Sequence, residues 1–252
     1  MPSEPSALGA GLRWMGSIAT TAPMLSAVST MGWFDRRRAG AWMESWGRLQ
    51  QAIFGLQVTV DDRNSAYDDP PYLFVHLNQT SLVESFTKTA MVPIPFRLII
   101  NFEYGLLPFI GPATIAMGAR VIVRQWPTQA KRGIDRAIRD LEDGDSYFIS
   151  IEGRRSPDGA LQPYKKGPAV MAIRAQATVV PFVTFGARER MPYGSWRVRP
   201  GSIHGILCEA IPTRGMTYAD RDALTAQLRS VAETELRHLA SRETRRRGAH
   251  PA

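Results

Sequence analysis

The sequence has little cysteine and little histidine, and each shortage excludes a class of protein. Cys208 is the only cysteine among 252 residues, so an internal disulfide framework is excluded and nothing indicates an oxidising compartment. The four histidines have no ligand partner at metal-binding spacing, and we therefore expect no bound metal. A convincing small-residue cleavage site is also missing near the first residues, which argues against a signal peptide.

Acidic residues are fewer than basic ones, and the 31 lysines and arginines against 23 aspartates and glutamates give a formal net charge of +8. A basic chain favours an anionic partner, such as nucleic acid, an anionic membrane surface or a phosphorylated substrate. Zinc-finger spacing and the aromatic-basic motif of RNA-binding sheets are both missing, so we expect no nucleic-acid partner.

Charged residues are absent from positions 14–34. The run matches the ~20 residues that cross a bilayer, but it is rich in Ser, Thr, Gly and Ala and contains Pro23. We therefore expect a helix that lies in one leaflet at the cytoplasmic face of the cell membrane, as in a peripheral or monotopic protein. The three arginines at 36–38 would then contact lipid headgroups. A full span and a soluble helical hairpin packed on the domain are the alternatives.

Residues 39–55 have apolar side chains at intervals of three and four, which predicts an amphipathic helix. Its tryptophans, Trp42 and Trp46, suit either a membrane interface or packing on the rest of the protein.

Short apolar runs alternate with helical segments beyond residue 55. They predict strands at 56–60, 71–77, 96–101, 119–123, 146–151, 178–185 and 202–208, with helices at about 82–91, 104–117, 128–142, 166–176 and 220–245. This alternation is typical of βαβ units. We therefore predict an α/β fold, a mostly parallel sheet flanked by helices, preceded by an N-terminal membrane-associating helical pair. The expected regions are 1–55 for that pair, 56–215 for the main domain and 216–252 for a C-terminal helix and basic tail.

Four short motifs lie at strand ends in the predicted sheet. They are YLFVHLNQTSLVE at 72–84, GARVIVR at 118–124, ISIEGRRS at 149–156 followed by KKGPAVMA at 165–172, and VVPF at 179–182. In the first motif, Ser81 and Glu84 have the spacing of a capping box at the start of a helix.

These motifs, in this order, resemble those of the lysophosphatidic acid acyltransferases, the 1-acyl-glycerol-3-phosphate acyltransferases, over about residues 40–215. That family has N-H-x-S-x-x-D, a glycine-to-arginine strand motif, F-P-E-G-T-R-S and a short V-P strand. The resemblance implies that region 56–215 is an acyltransferase domain of phospholipid biosynthesis. It implies transfer of a fatty acyl group to the hydroxyl of a lysophospholipid such as 1-acyl-glycerol-3-phosphate. The donor would be acyl-CoA or acyl carrier protein, and no cofactor is expected.

The resemblance also implies which residues bind substrate. A phosphate requires arginine forks or backbone amides, and Arg124 and Arg155 occupy the matching positions. Glu152 and Gly153 would shape the loop between them, at the carboxyl edge of a parallel sheet where ligands bind. The remaining expected substrate-binding residues, from the first motif, are Asn78 and Ser81.

The first motif departs from the family pattern at its histidine, because the alignment places Gln79 there and Glu84 at the aspartate. In the family the histidine takes the proton of the attacking hydroxyl and the aspartate orients the histidine. An amide does not titrate and is no general base.

Three hypotheses follow from this departure. In the one we prefer, Glu84 is the base, directly or through a water, or an orienting group, and Gln79 hydrogen-bonds the hydroxyl. The preference rests on the retained phosphate-side motifs and on the retained carboxylate. In the second, His76 supplies the imidazole, although it lies ~10 Å from Gln79 on an extended strand. In the third, the chain is a catalytically impaired relative that binds lipid at the membrane.

Overall fold

A computed structural model describes residues 6–123 and 125–248. Residues 1–5, Arg124 and residues 249–252 lie outside these ranges. The expectation that Arg124 binds phosphate therefore stays a prediction, and so does any role of the last residues of the basic tail.

The described residues form a seven-stranded, mostly parallel sheet. Its strands are β1 (Leu56–Asp62), β2 (Tyr72–His76), β3 (Arg97–Asn101), β4 (Arg120–Ile122), β5 (Tyr147–Ser150), β6 (Thr178–Phe185) and β7 (Gly201–Leu207). The strand order is β1-β7-β6-β2-β5-β3-β4, and only β6 and β7 of these neighbours are antiparallel. The predicted fold class is confirmed, and every predicted strand is present close to its expected bounds.

Helices cover both faces of the sheet. They are α1 (Ala7–Met31), α2 (Arg36–Phe54), α3 (Glu84–Thr87), α4 (Phe102–Gly105), α5 (Ile110–Ala116), α6 (Pro127–Glu142), α7 (Gly167–Ala175), α8 (Ala187–Arg190) and α9 (Arg221–Gly248). The predicted N-terminal helical pair is confirmed as α1 and α2. The helix predicted at 82–91 is the short α3 followed by a 3-10 turn, Lys88–Ala90. The helix predicted at 104–117 is interrupted between α4 and α5, where Pro108 lacks an amide donor.

Alternate side chains of β2 point to opposite faces of the sheet, as the pleat of a strand requires. Leu73 and Val75 pack in a core formed with α6, α7 and α9. Tyr72 and Phe74 pack in a second core formed with α1, α2 and α3. Because β2 is buried on both faces along its length, its sequence is a continuous apolar run rather than an alternating one.

The hairpin of α1 and α2 docks firmly on the second core. The Trp46 indole donates a hydrogen bond to the Thr21 hydroxyl at 2.9 Å, and its ring lies edge-on to Phe86 with 6.3 Å between centroids. Gly47 allows α2 to approach the segment after α3. A Cβ at Gly47 would overlap the Thr89 hydroxyl and lie 2.7 Å from the Phe86 carbonyl oxygen. The hairpin is therefore an integral layer of the fold.

Among the described residues, no helix combines the length and hydropathy needed to cross a bilayer. The two tryptophans of α2 differ in their surroundings, since Trp46 is 7% exposed and Trp42 is 44% exposed. Other large apolar side chains of the hairpin are also exposed: Leu8, Leu12, Met15, Ile18, Trp33 and Phe34.

Candidate active site

A cavity of about 1180 Å³ lies between the hairpin and the carboxyl ends of the parallel strands. Its apolar lining includes Trp14, Ile18, Trp46, Phe96, Ile99 and Phe148. Its polar lining includes Gln79, Glu84, Glu152, Arg154 and Arg155. A cavity at this edge of an open parallel sheet is where ligands of α/β proteins bind.

Glu84 is almost fully buried, and its carboxylate accepts four hydrogen bonds. The amides of Thr80 and Ser81 donate to Oε2, each at 3.0 Å. The hydroxyls of Thr80 and Thr184 donate to Oε1 at 3.3 and 2.7 Å. Burial raises the pKa of Glu84 to about 7, although these donors favour the carboxylate. The Ser81 amide bond is one half of the predicted capping box, whereas the Ser81 hydroxyl donates instead to the Met191 carbonyl at 2.8 Å.

Asn78 ties the end of β2 to the end of β6. Its side-chain amide donates to the Thr184 carbonyl at 2.6 Å, and its oxygen accepts the Thr184 amide at 2.9 Å. Neither Asn78 nor Ser81 belongs to the described lining of the cavity. Both side chains are engaged in bonds that hold the framework around Glu84, and the expectation that they bind substrate stays a prediction.

Glu152 links the ends of β2 and β5. The Gln79 amide donates to its Oε2 at 2.9 Å, and the Gln162 amide donates to its Oε1 at 2.7 Å. Burial raises the pKa of Glu152 to about 7. Gly153 follows with a φ of 69°, a left-handed conformation that glycine adopts without a Cβ clash. This turn directs the next two residues to the cavity.

Arg154 and Arg155 line the cavity beside Glu152. The guanidinium of Arg155 lies 5.1 Å from the ring centroid of Tyr193, and Arg154 donates to the Gln162 side chain at 3.3 Å. The predicted site residues that line this one cavity are Gln79, Glu84, Glu152, Gly153 and Arg155.

His76 lies on the cavity side of β2. Its Nε2 is 3.1 Å from the Thr184 hydroxyl and 4.0 Å from Oε1 of Glu84, and its ring packs against Phe148 and Phe182. Burial lowers the pKa of His76 to about 3, with the charge of Lys88 acting in the same direction. An imidazole of such low basicity suits proton abstraction poorly at neutral pH, which counts against the second hypothesis.

Sequence reasoning missed two residues of this site, Thr184 and Lys88. Thr184 contacts Glu84 across 100 positions of sequence, and only the order of the strands reveals that contact. Lys88 follows Glu84 by four positions, the spacing at which helical side chains are neighbours, and it lines the cavity. The four-residue spacing from Glu84 could therefore have identified Lys88 as a site residue.

Comparison with known proteins agrees with this geometry. A family model described as Acyltransferase matches residues 57–184. The 1-acyl-sn-glycerol-3-phosphate acyltransferase beta of Homo sapiens is 27% identical over 217 residues, which cover 84% of this chain and 72% of that protein. The chloroplastic 1-acyl-sn-glycerol-3-phosphate acyltransferase BAT2 of Brassica napus is 30% identical over 132 residues, 52% of this chain and 38% of that protein. The chain belongs to the acyltransferase family, as the resemblance predicted.

A solved structure shares the fold. The crystal structure of the 1-acyl-sn-glycerophosphate (LPA) acyltransferase PlsC from Thermotoga maritima superimposes with a TM-score of 0.79, covering 92% of this chain and 95% of that one at 20% sequence identity. At that identity the likeness shows a common fold.

Proposed function

We propose that this chain transfers a fatty acyl group from a thioester, acyl-CoA or acyl carrier protein, to the hydroxyl of a lysophospholipid such as 1-acyl-glycerol-3-phosphate. The observation that carries the proposal is one cavity whose lining combines many apolar side chains with arginines and glutamates. An acyl chain is stabilised by apolar lining, and a phosphate is matched by the guanidinium groups of Arg154 and Arg155. The names of the human and Brassica relatives specify 1-acyl-sn-glycerol-3-phosphate.

In this proposal Glu84 is an orienting residue rather than the base. Its four accepted hydrogen bonds occupy the lone pairs of both oxygens, so it fixes Thr184 and the turn before α3. Gln79 hydrogen-bonds the acceptor hydroxyl through its amide. Arg155 binds the phosphate, and Arg124 joins it by the family resemblance.

We further propose that the protein works at the cytoplasmic face of the membrane, on an anionic lipid surface. Trp33 and Phe34, 71% and 87% exposed, lie at the turn of the hairpin, and three arginines follow at 36–38. Aromatic rings beside basic side chains suit the headgroup region of a bilayer. Residues of α1 also line the cavity, so the hairpin joins the site to the proposed membrane contact.

A second candidate is a lipid-binding relative without turnover. The observation that favours it is Gln79, because the amide at the family's histidine position cannot take a proton. The cavity and its arginines would then hold phospholipid at the membrane.

The deciding experiment incubates purified protein with 1-acyl-glycerol-3-phosphate and labelled acyl-CoA, or labelled acyl carrier protein in a parallel reaction. Acyl transfer predicts labelled diacyl product from the wild type. It also predicts a loss of about 100-fold in Glu84→Ala, since a misplaced site residue costs about that much. Binding to vesicles without any product would favour the second candidate. A gain of turnover in Gln79→His would show that this position faces the reacting hydroxyl.

A further inference from the structure

Lys88 lines the cavity and lies close enough to Glu84 to feel its charge. It opens the 3-10 turn after α3 and is only partly accessible, and its ammonium lies 5.1 Å from the ring centroid of Phe148. In the described part of the chain, its ammonium forms no ion pair or side-chain hydrogen bond. A ring face compensates only part of the cost of withdrawing an ammonium from water. The side chain is therefore held in an environment that favours the neutral amine.

The neighbours of Lys88 define its electrostatic environment. Among the described residues, the titratable and charged side chains that share the cavity with it are His76 from β2, Glu84 from α3, Arg97 from β3, Tyr104 from α4, Glu152, Arg154 and Arg155 after β5, and Lys165 before α7. Burial lowers the pKa of Lys88 to about 8, and the charge of Glu84 opposes that shift. The amine is therefore partly neutral at physiological pH.

The same part of the cavity presents a second group without a partner. Ser150 follows Phe148 by two residues, so both lie on one face of β5. Within the ranges that the structure describes, its buried hydroxyl has no hydrogen-bond partner, and the residue lines the cavity. A hydroxyl and an amine that are both unpartnered here indicate a place where a polar part of a ligand binds.

The other titratable groups are less suited to take a proton. Both oxygens of Glu84 are fully bonded, and His76 is too weak a base. Each oxygen of Glu152 accepts a backbone amide, and these two bonds hold the loop after β5, so the carboxylate serves the framework of the site.

We propose that Lys88 is the general base of the acyl transfer, in place of the histidine that the first motif lacks. This inference rests on the proposed function. The neutral amine accepts the hydroxyl proton while the hydroxyl oxygen bonds to the thioester carbonyl carbon. When the tetrahedral intermediate collapses, the carbon–sulfur bond breaks and the ammonium returns the proton to the departing thiolate. The amine is neutral again, the products are an ester and a thiol, and no electrons are exchanged. Glu84 stabilises the ammonium between these steps.

The test compares two substitutions that separate proton transfer from charge. Lys88→Arg keeps a cation that does not release its proton, and Lys88→Met keeps the length without charge. If Lys88 is the base, both substitutions should lower kcat by about 100- to 10,000-fold. In a third variant, Lys88→Ala, added ethylamine should restore part of the lost turnover. Lys131→Met, at an exposed position of α6, is the control and should keep wild-type activity. Thermal melting curves establish that each variant is folded.

The pH dependence gives a readout that a structural role would not change. Because only the neutral amine accepts a proton, kcat/KM should rise with pH through an apparent pKa near 8, and this limb should vanish in Lys88→Met. Carbon-13 NMR of the reductively methylated protein, assigned with Lys88→Arg, measures the same ionisation without turnover.

Several results would overturn the inference. A kcat of Lys88→Arg within a few-fold of the wild-type value would show that a positive charge suffices. A titration of Lys88 at the ordinary lysine pKa of about 10.4 would show that the amine is almost fully protonated at neutral pH. In either case a wild type that forms product leaves the proposed function standing. A wild type that forms no product overturns the proposed function and the role of Lys88 together.

Discussion

Replacing Glu84 with glutamine should change how the stability of the fold depends on pH. Burial raises the pKa of Glu84 from 4.5 to about 7. Because the folded value lies above the unfolded one, the unfolded chain releases this proton first, and the folded state loses stability as pH rises from about 4.5 to about 7. At about 1.4 kcal/mol per unit, the loss is on the order of 3 kcal/mol.

Glutamine has nearly the same volume and does not titrate. Its oxygen can accept the amides of Thr80 and Ser81, and its amide can donate to the Thr184 hydroxyl, which rotates to accept. The free energy of unfolding of Glu84→Gln relative to wild type should therefore increase by on the order of 3 kcal/mol between pH 5 and pH 8. Glu152 titrates in both proteins, so its contribution to the difference between their free energies of unfolding largely cancels.

Urea unfolding followed by tryptophan fluorescence at pH 5, 6, 7 and 8 measures this difference. Glu84→Ala is the control, because it leaves the Thr80 and Ser81 amides without an acceptor and should destabilise the fold at every pH, by about 1–3 kcal/mol per amide. Parallel curves for wild type and Glu84→Gln would refute the reasoning, since they would mean that Glu84 titrates alike in the folded and unfolded chains.

Three further predictions concern the hairpin and the arginines. Gly47→Ala should lower the free energy of unfolding by about 1–3 kcal/mol through overpacking. Gly40→Ala is the control and should not lower it, because the nearest atom lies 3.7 Å from the added Cβ. Equal free energies of unfolding for the two variants in urea would contradict this. Arg155→Ala should raise KM for a phosphorylated acceptor but not for a monoacylglycerol, and equal effects on both would exclude phosphate binding. Serine at both Trp33 and Phe34 should reduce flotation with anionic vesicles while turnover of detergent-dispersed acceptor persists; unchanged flotation would rule out this contact.

The strands of the sheet were predictable because each of them is a short apolar run in the sequence. β2 and β6 are buried on both faces, so their sequences contain few polar residues. The order of the strands is a property of tertiary packing, and the runs do not encode it. The break between α4 and α5 was missed because apolar spacing continued through Pro108, where the missing amide donor ends the helix.

The residues of the candidate site that belong to short sequence motifs were predictable, whereas their contacts with residues far along the chain were not. Gln79, Glu84 and Glu152 stand at strand ends, and parallel strands bring such ends to one edge. The sequence does not reveal which polar atoms are already bonded within the protein. Asn78 therefore looked like a ligand for substrate, although the Thr184 backbone satisfies its side chain on both atoms.

The contacts of Thr184 make the site late to assemble. Asn78 and Glu84 bond to a residue 106 and 100 positions further along, and such distant pairs form only after a long loop has closed. During synthesis β2 and α3 leave the ribosome well before β6 does. A nascent chain therefore carries the complete first motif for some time without the hydroxyl that secures its carboxylate. The hydrogen bond from Thr184 to Glu84 forms only after β6 has been synthesised and has paired with β2.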